Sequence, residues 1–80
     1  MDDRYILLGL NIAYFRKLRM LTQKSLAEKI GISRAHLSHI ESCDGRSVAS
    51  LDTIFKIADA LNVLPDRLFD FSAIAYKNNL

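Results

Sequence analysis

The chain has one cysteine, one proline, three glycines and no tryptophan. A single cysteine excludes an intramolecular disulfide framework. So few prolines and glycines leave little to interrupt helices, and no stretch alternates apolar and polar residues long enough to read as a strand. No apolar run approaches the ~20 residues that span a bilayer. The opening MDDRYILLGL sets two acids ahead of Arg4 and offers no small-residue cleavage site, so it reads as a poor signal peptide. A nucleophile elbow, a glycine-rich phosphate loop and a paired-carboxylate site are also missing, which predicts neither an enzyme nor a cofactor. These absences together point to a cytoplasmic, helical, non-enzymatic protein.

What is present is a globular composition, half hydrophobic and 25% charged, in eighty residues. That length makes one domain, and a domain this small needs a dense core. The net charge of +2 is unevenly spread: residues 16–46 hold seven basic side chains against three acidic ones, whereas residues 51–80 hold three against four. A basic middle beside a slightly acidic end fits a partner of negative charge, and a solvated surface accounts for it equally well.

Periodicity divides the chain into helices. The first is expected from about Arg4 to Arg19, capped by Asp2 or Asp3, with Leu8, Ile12 and Phe15 as its inner stripe. Thr22 caps a second over Gln23 to Ile30 that buries Leu26, Ala27 and Ile30, and Gly31 ends it in the left-handed conformation. Ser33 caps a third from Arg34 to about Ser42, with Leu37 and Ile40 inward. SCDGRSVA reads as a loop. Ser50 caps a fourth, Leu51 to Leu61, whose core stripe is expected to be Leu51, Ile54, Ala58 and Leu61, with Asn62 as its stop. Pro65 opens a short fifth helix through about Phe69 or Phe71. Residues 1–71 form the domain, and 72–80 a tail that is either helical or frayed.

The second and third helices are too short to stand alone. Ala27 and Gly31 are small enough to let them cross at a steep angle, with Ile30, Leu37 and Ile40 filling the corner. This is the pattern of a helix-turn-helix, whose second helix enters the major groove of DNA. Arg34, Ala35, Ser38 and His39 then fall on its outer face. Arginine can pair bidentately with guanine, alanine can pack on a thymine methyl, and serine and histidine can donate or accept. Three of the four have a plainer account: Arg34 as a surface charge or phosphate contact, Ala35 and Ser38 as helix filler.

LTQKSLAEKIGISRAHLSHIE followed by SLDTIFKIADALNVLPDRLF resembles the phage Cro and repressor-like, or XRE, helix-turn-helix family over about Leu8 to Phe69. The resemblance implies an all-α, lambda-repressor-like bundle of five helices. It implies a homodimer on a palindromic double-stranded operator, acting as a transcriptional regulator and most simply as a repressor. It assigns base reading to Arg34, Ala35, Ser38 and His39, and backbone contact to Gln23, Lys24 and Ser33, with Arg46 and Ser47 as further candidates. It matches Arg16 and Glu41 to an ion pair that ties the first helix to the end of the third. A helix N-terminus such as that of Gln23 attracts phosphate through free N–H groups and the helix dipole. Ser33 as a cap alone is worth ~1 kcal/mol, so its presence does not require contact with DNA.

The chain departs from the family pattern where Met20 replaces a glycine, where Ser25 replaces a first-turn acid, and where Cys43 and a longer loop follow Glu41. Two other readings stand beside the DNA-binding one. His36, His39 and Cys43 share a helical face if the third helix persists, an incomplete set for zinc or copper, and no metal is expected. Apolar surface beyond the core, at Leu7, Leu10, Tyr14 and Leu18 and at Val63, Leu64, Phe71, Ile74 and Tyr76, fits a tail folded over the first helix, a dimer interface, or an antitoxin-like or adaptor module capping a protein partner. The family resemblance implies dimer contacts near the fifth helix, where Val63, Leu64 and Leu68 lie.

Overall fold

A computed structural model describes residues 3–42 and 49–72. Five helices follow one another: α1 (Asp3–Leu18), α2 (Gln23–Ile30), α3 (Arg34–Glu41), α4 (Leu51–Leu61) and α5 (Pro65–Leu68). Among the described residues there is no strand.

Local chemistry sets most of the boundaries. Thr22, Ser33 and Ser50 stand in extended backbone before α2, α3 and α4, and each side-chain oxygen accepts an N–H from three residues on: Ser25 at 3.0 Å, His36 at 3.0 Å and Thr53 at 3.2 Å. That satisfies one of the orphan donors of each first turn. Ser25 takes no part in a full capping box; its hydroxyl oxygen instead accepts from the Thr22 hydroxyl at 2.9 Å.

Three helices end alike. Met20, Gly31 and Asn62 adopt left-handed backbone, at φ 59°, 77° and 56°. In each case the following N–H reaches back five residues: Leu21 to Arg16, Ile32 to Ala27 and Val63 to Ala58, at 3.0–3.1 Å. This is the Schellman closure. Gly31 adopts it freely and Asn62 at small cost; Met20 pays the Cβ penalty and still adopts it. α3 ends differently, with Ser42 extended and its N–H on the His39 carbonyl at 3.2 Å.

The core draws on every helix: Leu8 and Ile12, Leu26, Ala27 and Ile30, Leu37 and Ile40, Ile54, Ile57, Ala58 and Leu61, and Leu68. Phe15, Val63 and Phe71 pack against it half-buried. Two expectations change here. Leu51 is 65% exposed, and Ile57 belongs to the core stripe of α4. A side chain at the first helical position leans back over the N-terminus, past the rim of the bundle. Leu68 is fully buried within its own chain and is not available to a partner.

The helix limits also shift. α1 spans Asp3–Leu18, with Asp3 inside its first turn, and α3 stops at Glu41. α5 stops at Leu68, after which the Ser72 hydroxyl and N–H, donated to Asp70 Oδ1 at 2.7 and 3.1 Å, hold that carboxyl below the usual carboxylate range. Asp2, Ile74 and Tyr76 lie outside the described residues.

Polar side chains fasten the helices where apolar packing cannot. Buried Asn11 donates to the carbonyls of Leu68 and Asp70, at 2.9 and 3.0 Å, holding the end of α5 on α1. Arg19 donates through Nε to the Leu61 carbonyl at 2.7 Å, placing positive charge at the C-terminus of α4, the favourable end of the helix dipole. No basic residue of α4 stands in its own last turn. Gly9 lies against the end of α3: a Cβ there would collide with the Ile40 carbonyl oxygen and stand 3.2 Å from Glu41 Cα.

Gly9→Ala is therefore expected to destabilise the protein by ~1–3 kcal/mol through overpacking, although alanine is the better helix former. A thermal melt would show it as a fall of several degrees. Met20→Gly should act the other way, adding ~0.5–1 kcal/mol as relief of the left-handed strain outweighs the entropy glycine adds to the unfolded chain. Urea titration measures it; an unchanged midpoint would refute strain at Met20.

Candidate nucleic-acid interface

An α-helix of ~3.6 residues per turn puts positions i, i+1, i+4 and i+5 on one side. In α3 those positions are Arg34, Ala35, Ser38 and His39. Arg34, Ala35 and His39 are exposed and Ser38 is half-buried, whereas Leu37, Ile40 and Glu41 face the bundle and are buried. His36 is exposed at the edge of the outer face. The outer side therefore carries a guanidinium, a methyl, a hydroxyl and an imidazole, a set of groups able to meet base edges.

The inner side is anchored by charge as well as by packing. Arg16 grips Glu41 with two bonds, Nε to Oε2 at 2.8 Å and Nη2 to Oε1 at 2.9 Å. Both side chains are buried, at 10% and 4% exposure. The third guanidinium nitrogen, Nη1, donates to the Leu21 carbonyl at 2.8 Å, while the Arg16 carbonyl accepts the Leu21 N–H. Arg16 thus holds both ends of the turn that Met20 makes. Gln23 at the start of α2 closes the network, its Nε2 donating to Glu41 Oε1 at 3.2 Å. A fork of donors facing an acceptor-only carboxylate is the geometry in which a buried pair can offset its desolvation.

The remaining sequence-predicted residues are more scattered. Lys24 is exposed beside Gln23, and Ser33 is exposed with its oxygen engaged as the cap of α3. Arg46 and Ser47 lie outside the described residues, as do Cys43 and Gly45. Among the described residues no three histidine, cysteine or acidic side chains gather as a metal site, and no helix is long and apolar enough to cross a membrane.

Gly9, against the end of α3, and Asn11 and Arg19, which tie α1 to α5 and to the end of α4, have roles that the sequence reading did not assign. Asn11 had a signal, a polar residue beside Ile12 in an apolar helix, because a buried amide needs partners. The bonds of Arg19 and the close approach of Gly9 depend on which helices meet.

A family model described as helix-turn-helix matches residues 12–68. The chain belongs to the XRE-type helix-turn-helix family, whose members are DNA-binding regulators. It is 40% identical over 58 residues to an uncharacterized HTH-type transcriptional regulator of Methanocaldococcus jannaschii, covering 72% of this chain and 85% of that one. Among solved structures it is similar to the restriction-modification controller protein C.AhdI from Aeromonas hydrophila, with a TM-score of 0.75, 31% identity, and coverage of 81% of this chain and 96% of that chain. It is likewise similar to the hypothetical transcription factor NHTF from Neisseria, with a TM-score of 0.76, 31% identity, and coverage of 84% and 73%. In helix-turn-helix terms α2 and α3 are the two helices of the motif, and α3 occupies the position of the recognition helix.

Removing Arg16 leaves a buried carboxylate without its cation. Arg16→Ala is expected to cost ~3–5 kcal/mol, a large share of the stability of a domain this size, while replacing both partners by methionine recovers most of it. Urea denaturation of the unaltered protein and the two variants checks this; a double variant no more stable than Arg16→Ala would contradict the account.

Proposed function

We propose that this DNA-binding transcriptional regulator is a cytoplasmic, non-enzymatic, sequence-specific repressor that reads the major groove with α3. The observation that carries the reading is the division of α3 into two sides. Arg34, Ala35 and His39 face solvent with Ser38 at their border, and the opposite side is fixed to the bundle by Leu37, Ile40 and the Arg16–Glu41 pair. Arg34 pairs with guanine, Ala35 packs on a thymine methyl, and Ser38 and His39 complete the half-site. Gln23, Lys24 and Ser33 contact the backbone near the N-termini of α2 and α3, where free N–H groups favour phosphate. Arg46 and Ser47 extend that contact. Repression then follows from occupancy of an operator.

The operator is palindromic because the regulator is a homodimer, its two recognition helices ~34–36 Å apart. Support for the dimer lies in the apolar side chains left in water beside α5 and along α4: Leu64 is 71% exposed, Leu51 65% and Phe55 49%. These are better placed for association than buried Leu68. Tyr14 and Leu18 on α1, at 60% and 55% exposure, favour a second reading, an adaptor whose bundle caps a protein partner.

Selection from random duplexes tests the function. An inverted repeat is expected to be enriched, and Arg34→Ala should relax one position of each half-site at a cost of ~1–3 kcal/mol. Absence of any enriched sequence at low as well as moderate salt would overturn the repressor reading in favour of the adaptor.

A further inference from the structure

We infer that Glu41 is a positioning residue for DNA backbone capture: it holds the Gln23 amide, before DNA arrives, in the orientation that a phosphate requires. The inference rests on the reading of Gln23 as a backbone contact given above.

The argument is one of donors and acceptors. A glutamine amide has a donor end and an acceptor end, and an unrestrained side chain presents either. An ionised carboxylate only accepts. Glu41 Oε1 therefore draws Gln23 Nε2, as the 3.2 Å bond records, and the reverse orientation would set oxygen against oxygen. Phosphate oxygens also accept only, so the amide end selected by Glu41 is the end that phosphate needs. Nε2 carries two hydrogens. One is engaged by Glu41, and the second remains for the backbone at the first residue of α2.

Glu41 can do this because of its own surroundings. Its side chain is 4% exposed, and Arg16 grips both carboxylate oxygens. The carboxylate cannot swing into water, and its charge, which alone would repel DNA, is balanced by the guanidinium. It remains an acceptor without remaining a net negative charge at the interface. Gln23 is half-buried on one side and reaches solvent on the other. Ordering a glutamine side chain in the free protein removes that entropic cost from the binding step.

The experiment is a double-variant cycle, Gln23→Ala and Glu41→Gln, on affinity for a random-sequence duplex at several salt concentrations. Phosphate contacts act in non-specific binding too, so no operator is needed. Gln23→Ala is expected to weaken binding roughly tenfold, the worth of one hydrogen bond to a charged group. Because glutamine is neutral, the salt slope should not change. Glu41→Gln should then alter affinity differently in the two backgrounds, by the Gln23-dependent factor; its effect on charge is common to both and cancels.

A second measurement is made on the unaltered protein, so it does not depend on the variants folding. Gln23 is the chain's one glutamine, and the order parameter of its side-chain amide in the absence of DNA should exceed that of exposed Asn62. Unchanged affinity in Gln23→Ala would overturn the backbone reading, and the inference with it. Weakened binding in Gln23→Ala would keep the backbone reading; a Gln23 amide as mobile as that of Asn62, or an equal effect of Glu41→Gln in both backgrounds, would then overturn the positioning role alone.

Discussion

Arg16 is where the fold and the site meet. It sits in the last turn of a scaffold helix, but its five donors reach beyond that helix: to the last residue of α3, to the carbonyl that closes the α1–α2 turn and, through Glu41, to the first residue of α2. Apolar packing holds the inner faces of α2 and α3 together, yet packing alone tolerates small rotations of one helix on another. A bidentate pair does not, because its two parallel bonds fix direction as well as distance. Desolvating two charges is the cost of that definition. The cost falls where an error in angle would move the whole outer face of α3 at the same time.

How much of this could be read from the sequence depends on how far apart the interacting residues lie. The caps at Thr22, Ser33 and Ser50 and the stops at Gly31 and Asn62 are local, each decided within about one helical turn, and they agree with the structure. The outward face of α3 is also local, since it follows from helical period and from Leu37 and Ile40 being apolar. Periodicity failed where a helix meets the rim of the bundle: Leu51 has the spacing of a core residue but lies beyond the packed layer, whereas Ile57, deeper in α4, is buried. It could not reach the tie between Gln23 and Glu41, eighteen residues apart, or the clasp of Asn11 on the end of α5. Those depend on which helices lie side by side. Met20 is an intermediate case: its left-handed backbone contradicts its residue type, and the reason is the hold that Arg16 keeps on Leu21 from both sides.

The distribution of apolar surface bears on stability as well as on partners. A chain of this length buries a modest fraction of what it exposes when unfolded. Leu51, Phe55 and Leu64 are left in water on the α4 and α5 side. Covering them in a dimer would add burial that the single chain lacks, and would make the folded state depend on protein concentration. Abundance and occupancy of an operator would then be linked through folding itself.

Gly9 has a different bearing on recognition. Its missing Cβ lets α1 close onto the backbone of Ile40 and Glu41. The neighbours of Gly9 on the same face of α1, one turn away, are Tyr5 and Ile6 on one side and Ile12 and Ala13 on the other, and all carry the Cβ that Gly9 lacks. Sliding α1 by a turn in either direction would set a side chain against the Ile40 carbonyl, so the contact acts as a mechanical stop against translation. With α3 held in register by that stop, a duplex read by α3 as proposed above would have to supply the adjustment itself, through bending and groove width, whose energetic cost varies with sequence. Preference in the proposed complex would then extend to base pairs that no side chain touches.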